Sequence, residues 1–194
     1  MKAKISAENS KLGKLPNISL SPIKSCVNCS HCSKLCYALK AYRMYPPTKK
    51  AWDHNLDLAK NHPKEYFQSI QEYVSKKNPK FFRWHVSGDI LDQRYLSGMI
   101  KIARDNPETT FLAFTKNFSL DYRRVPQNLS IVFSMWPKMR KPVHKKGVSG
   151  FAWMQDGTEK RVPENAVECP GNCENCGMCF HIAKIGGNVV FHKH

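Results

Sequence analysis

The sequence predicts an α/β fold, either a partial (β/α) barrel or an open parallel sheet with helices, its two ends joined by cysteine-rich metal sites. Three observations point there. Short apolar runs stand at 81–86, 109–115 and 129–135, with a longer segment of helical periodicity between the first two. Strand, helix and strand at that spacing mark a right-handed parallel β-α-β unit. At 194 residues the chain suits a single domain, 1–194, long enough to bury a core. Every cysteine falls in one of two short segments, 26–36 and 169–179, near the two ends.

Residues 1–25 carry Gly13, Pro16 and Pro22 with little periodicity and read as an extended lead-in. Lysines at 2, 4, 11, 14 and 24 make it basic, suited either to a phosphate backbone or to packing across the surface. Beyond the first cysteines, 37–45 reads as a short helix ended by Pro46-Pro47. Thr48 suits the N-cap of a helix to about Asn61, with Trp52, Leu56 and Ala59 on one face. Pro63 suits the first turn of another, where its missing N–H costs nothing. There Phe67, Ile70 and Val74 recur at helical spacing, and with Tyr66 and Tyr73 they predict core in preference to base stacking.

The run 81–86 is bounded by Asn78-Pro79 and Ser87-Gly88-Asp89, which predicts a buried strand ending in a turn. A helix at 93–106 places Leu96, Met99, Ile100 and Ala103 on one stripe. Strands at 109–115 and 129–135 follow, then a further strand at 148–154 and a last apolar piece at 188–191. In α/β sheets, sites gather at the carboxyl ends of strands. Ser87, Gly88 and Asp89 are therefore the cofactor-binding candidates, and Asp89, Lys116 and His85 the catalytic ones. Thr115 and Ser134 fall at the same edge. The plainer alternative has Asp89 capping the helix, Ser87-Gly88 only turning the chain, and His85 satisfied in the core.

The cysteines carry the most specific signal. Cys26, Cys29, Cys32 and Cys36 read C-x2-C-x2-C-x3-C, and Cys169, Cys173, Cys176 and Cys179 repeat that spacing in reverse. The polar start Met1-Lys2-Ala3-Lys4 lacks an apolar signal segment, so reduced thiols in a cytoplasm are expected, not disulfides. Three thiols in succession at x2 spacing match the bacterial [4Fe–4S] pattern, with all-cysteine zinc as the alternative. One cluster per tetrad is the simplest arrangement. Exchange of Cys36 and Cys169 between two clusters stays open, as does one cluster drawing on both ends. Either requires the ends to meet in space. With every cysteine so assigned, none is left as a nucleophile, and neither a Gly-rich phosphate loop nor an H-E-x-x-H motif is present.

Charge narrows the partners. Lysine and arginine total 31 against 15 acidic residues, for a net +16, which attracts polyanions and foremost nucleic acid. The densest basic loop, 137–147, offers Lys138, Arg140, Lys141, Lys145 and Lys146 as phosphate contacts. A solvated surface, an anionic substrate or an acidic protein partner are the alternatives. No apolar run approaches membrane-spanning length, so no membrane partner is expected.

Cys36-Tyr37-Ala38, Arg83-Trp84-His85-x-Ser87-Gly88-Asp89, Phe114-Thr115-Lys116, Pro126-x-Asn128-Leu129 and the closing cysteine group together resemble the phage gene-product-eighty-eight family, from about Asn17 to Phe180. The resemblance implies a virus- or prophage-encoded protein acting in a bacterial cytoplasm. In layout the chain is also similar to radical S-adenosylmethionine proteins, whose cysteine motif follows the first strand and whose Gly-Gly-Glu-like motif follows the second. Ser87-Gly88-Asp89 stands at that second place. The superfamily motif C-x3-C-x2-C is matched by Cys169, Cys173 and Cys176, whereas Cys29, Cys32 and Cys36 give C-x2-C-x3-C. Three functional expectations result: a basic iron–sulfur protein binding nucleic acid, a radical S-adenosylmethionine-like enzyme acting on nucleic acid or a small anion, and a modulator of a host protein.

Overall fold

The apolar runs become strands of one sheet. In the computed structural model, which describes residues 1–8, 12–143 and 145–192, these are β1 (Asn17–Ile18), β2 (Phe81–Trp84), β3 (Thr110–Thr115), β4 (Leu129–Met135), β5 (Gly150–Gln155), β6 (Val167–Glu168) and β7 (Asn188–His192). Lys11 of the lead-in and residue 144 of the basic loop lie outside the described residues. Neighbours run in the order β1-β2-β3-β4-β5-β7-β6 and every pair is parallel, so of the two expected architectures the open sheet is observed. Phe82 pairs with Phe111, and Phe111 in turn with Leu129, which sets the central register.

Because side chains alternate across a strand, β2 sends Phe82 and Trp84 to one face and Phe81 and Arg83 to the other. The first face is covered by α2 (Pro46–Asn61), α3 (Pro63–Lys77) and α4 (Gln93–Asp105), whose Leu58, Tyr66, Ile70, Leu96 and Met99 bury against Phe82, Trp84, Phe111, Ile131 and Phe133. On the second face Leu112, Val132, Ala152 and Val189 meet Leu12 and Leu15 of the lead-in and Phe180 and Ile182 of a 3-10 stretch, Met178–Ile185. Each fully buried large apolar side chain contributes about 1.5–3 kcal/mol.

Helix boundaries follow local chemistry. A short α1 (Tyr37–Met44) precedes α2, and Tyr45 between them is extended. Pro46 and Pro47 open α2 at its first two positions, so Thr48 is inside the helix and not its cap; proline is tolerated where the N–H has no intrahelical partner. Asp92 caps α4 by accepting from Tyr95 N at 2.8 Å. The strand expected at 148–154 begins only at Gly150, where a Cβ would stand 2.2 Å from the Gly187 carbonyl oxygen. The expected helix to Asn61 and the strand at 129–135 are found at those bounds. The two-residue strands β1 and β6 had no visible pattern.

Candidate metal centre and polar cluster

The first cysteine group follows β1 at the carboxyl edge of the sheet. His85 N donates to Ile18 O at 2.8 Å and Leu20 N to Ser87 O at 2.9 Å, so the chain entering the cysteine loop is sewn to the turn after β2. The loop makes two 3-10 turns, Cys29–His31 and Ser33–Leu35, before α1. Cys32 is buried, while Cys26, Cys29 and Cys36 are partly exposed. Asn28, in the left-handed region at φ 53, donates its Nδ2 to the Lys116 carbonyl at 2.8 Å. Burial pushes the Cys29 thiol up to about 12, with Cys32 and Cys26 adding to it. Burial raises Cys26 as well, against the pull of its hydrogen bond to Ile23 and of Lys116. Burial works against the Lys116 ammonium; Asp89, Cys32 and Cys26 outweigh it and hold the charge.

The second group packs on the second face of the sheet. Cys169 follows β6 and its N–H donates to Val190 O at 2.9 Å. A single helical turn, α5 (Cys173–Cys176), is capped by Asn172, and Gly177 at φ 62 redirects the chain toward Cys179. Cys169, Cys173 and Cys179 pack against the second core cluster. The Cys179 thiol is pushed up to about 12 by burial and by Cys169, with Arg83 opposing.

Arg83 is the residue that reading the sequence passed over. It is only 7% exposed, its guanidinium lies 4.8 Å over the Phe114 ring, and Nη1 is 3.5 Å from Cys173 Sγ. Nε has no partner, and no ion pair among the described residues involves it. A charge inside the apolar run 81–86 was the available signal, since arginine is almost never buried unpaired.

The two groups approach each other at Tyr37. Its hydroxyl donates to Val86 O at 2.5 Å, and Arg83, Cys36, Lys116 and Cys173 all act on it electrostatically. Among the described residues, no three His, Cys, Asp or Glu side chains already converge into a metal-holding group. The donor set nevertheless fits a thiolate-bound metal in one respect: each group has a cation beside it, Lys116 at the first and Arg83 at the second.

The three polar candidates after β2 divide. Asp89, 1% exposed, accepts from Thr115 Oγ1 at 2.6 Å, Ile90 N at 2.7 Å and Lys116 N at 3.0 Å. Burial pushes its carboxyl up, and Lys116 and these hydrogen bonds resist. It does not cap α4, since Asp92 does. His85 lies just past the strand at φ 56, with Nε2 2.9 Å from Tyr95 OH and that hydroxyl 2.6 Å from Tyr66 OH. Burial and the nearby Arg83 lower it to about 3, so the ring is neutral, and its Nδ1 has no partner. Ser87 Oγ is likewise buried and unpartnered. Gly88, at φ +90, packs so closely that a Cβ would stand 2.6 Å from Ser25 Oγ.

In the basic loop Lys138, Arg140, Lys141 and Lys146 are exposed. Lys141 Nζ lies 5.4 Å from the ring centres of both Phe151 and Trp153, and Lys145 Nζ donates to Leu120 O at 3.0 Å. Lys145 and Lys146 border a surface hollow of about 350 Å³ with Tyr122 and Arg123.

Fold and site together define an open parallel α/β protein with two cysteine groups that approach each other beside β2, at Tyr37. The chain matches the family model of Gene product 88 over residues 1–161, and it belongs to that family. It is 27% identical over 191 residues to the Gene 88 protein of Mycobacterium phage L5, covering 82% of this chain and 78% of that relative. To the Gene 88 protein of Mycobacterium phage D29 it is 22% identical over 180 residues, covering 77% and 75%. No solved structure matches it significantly. The family match spans the first cysteine group and the polar cluster after β2 and ends before Cys169.

Proposed function

We propose that this is a phage-type iron–sulfur protein that binds nucleic acid. Cys26, Cys29, Cys32 and Cys36 would hold one [4Fe–4S] cluster, and Cys169, Cys173, Cys176 and Cys179 the other. The observation that carries the reading is the buried Arg83, which has thiols for neighbours and no carboxylate; a buried cation requires a counter-charge, and metal-bound thiolates supply it. All-cysteine zinc would satisfy Arg83 equally, and the run of x2 spacings decides for iron–sulfur. When bound, each cluster would supply a local staple within its own cysteine segment, structural or redox-sensitive. Lys116 and Arg83 balance the thiolates, and the net +16 supplies affinity for phosphates. Anaerobic purification with iron, sulfide and zinc quantified tests this. About eight irons and eight sulfides per chain support it, and zinc without sulfide overturns it.

A second reading, a radical S-adenosylmethionine-like enzyme, is favoured by one arrangement. The cysteine loop after β1 and the turn 87–89 after β2 lie side by side, and Ser87 Oγ is buried without a partner. Asp89 and Lys116 border the same place and would orient a bound amino acid moiety. A change in the electron paramagnetic resonance of the reduced protein on adding S-adenosylmethionine supports this reading; an unchanged spectrum removes it.

A further inference from the structure

The positive charge of this chain is unevenly distributed. From residue 9 to residue 52 there is no aspartate or glutamate and there are eight lysines or arginines, equal to half of the net +16. Most of the exposed large apolar side chains fall in the same stretch. Among the described residues they are Ile23, Leu35, Tyr37, Met44 and Tyr45 here, against only Met1 and Val143 elsewhere.

Helical geometry arranges part of this set. On α1, Tyr37, Lys40 and Met44 are spaced i, i+3, i+7 and share one stripe. The other side of the helix is committed: Ala38 is buried and Tyr42 stacks on Trp52 at 6.3 Å. Tyr45, at the end of the helix, is 56% exposed, and Lys34 and Arg43 are exposed on either side. Tyr37 is anchored by its hydroxyl on Val86 O, yet the residue is still 49% exposed. An apolar stripe interleaved with cations, on a helix that carries no carboxylate and whose neighbour Asp53 is engaged by Ser21, Tyr42 and Lys49, matches a ligand with π-faces and phosphates in alternation. Bases present their faces only when unpaired, so the ligand class is single-stranded nucleic acid.

We infer that α1 and its two flanking turns form a face for single-stranded nucleic acid, with bases against Tyr37, Met44 and Tyr45 and phosphates on Lys34, Lys40 and Arg43. The inference rests on the nucleic-acid reading above and relocates its interface. Two cations of the 137–147 loop are already engaged by the protein itself, Lys141 over Phe151 and Trp153 and Lys145 on Leu120 O. Lying on α1, the strand would cross beside Cys36 and the first cysteine group.

Fluorescence anisotropy of the intact, metal-loaded chain tests this with a labelled mixed-sequence DNA single strand of about 20 nucleotides and the same sequence as a duplex. The single strand is expected to bind tighter. Tyr45→Ala is expected to weaken it about tenfold, and Tyr45→Phe to restore it, because the ring does the stacking. Lys40→Ala with Arg43→Ala should lower the slope of log affinity against log salt by about 1.4. Lys141→Ala with Lys146→Ala should change little. Circular dichroism confirms that each variant is folded. Loss of binding in the loop variant with α1 variants unaffected overturns the inference and leaves the nucleic-acid reading standing, as does a preference for duplex. No binding to either probe by the unaltered protein overturns both.

Discussion

The guanidinium of Arg83, on the second strand of the sheet, lies 3.5 Å from the sulfur of Cys173, ninety residues further along the chain. This contact places a buried positive charge against a group of thiols, with no ion pair to a carboxylate among the described residues. Either the thiols become thiolates or the charge stays uncompensated, and the second state is strongly unfavourable.

Under the iron–sulfur proposal, Arg83→Met should therefore loosen metal at the second group. Outer-sphere partners of metal ligands are worth about 10- to 100-fold in metal affinity. In a chain that carries metal at both groups, as proposed, release to a colorimetric chelator should be accelerated for about half of it. Release identical to that of the unaltered protein would show that the guanidinium plays no part.

Asp89→Asn removes the anion that Thr115 Oγ1 and the N–H groups of Ile90 and Lys116 converge on, and it leaves Lys116 without its carboxylate. The expected cost is about 3 kcal/mol, read as a lower urea midpoint. An unshifted midpoint would mean that the carboxylate can be replaced by an amide without penalty.

The two halves of the site were unequally legible. Cysteine spacing depends only on sequence neighbours, so the two cysteine groups are visible in the sequence, whereas the structure brings no three of their side chains into a metal-holding group among the described residues. Ser87-Gly88-Asp89 and Lys116 were legible because strand ends can be placed from the apolar runs that precede them. Arg83 was hidden by its setting: within Phe81-Phe82-Arg83-Trp84 it looks like part of a buried strand, and only the sheet shows which face it takes. β1 and β6 were invisible for a related reason, since two residues carry no periodicity and pair only because β2 and β7 are there to receive them.

His85 predicts a pH response. Its folded value is about 3 against an ordinary 6.5, so between those limits the unfolded chain holds a proton that the folded chain excludes. Stability should rise with pH across that window, by about 1.4 kcal/mol per pH unit from this group, and level off above it. His85→Asn, which tolerates the left-handed backbone at φ 56, should flatten the rise in urea melts at pH 4, 5 and 6. An equally steep rise in the variant would assign it to other groups.

Gly147 closes the basic loop at φ +89, where a Cβ would stand 1.9 Å from the Tyr122 carbonyl oxygen. Gly147→Ala should cost about 2 kcal/mol, measured by urea denaturation, because both the backbone conformation and the close approach penalise it. A cost of a few tenths would mean that the loop shifts freely away from Tyr122.

The alternation along β2 has an evolutionary corollary. Parity assigns Phe82 and Trp84 to the helix-covered oil and Arg83 to the sulfur side, so the strand behaves like a text with a reading frame. Substitutions that respect the alternation leave its meaning intact. Deleting or inserting one codon between Phe81 and Trp84 would transpose arginine and tryptophan, sending a charge into the aromatic interior and withdrawing it from the cysteines in a single step. In this short segment, change of length is expected to be far less tolerated than change of letter.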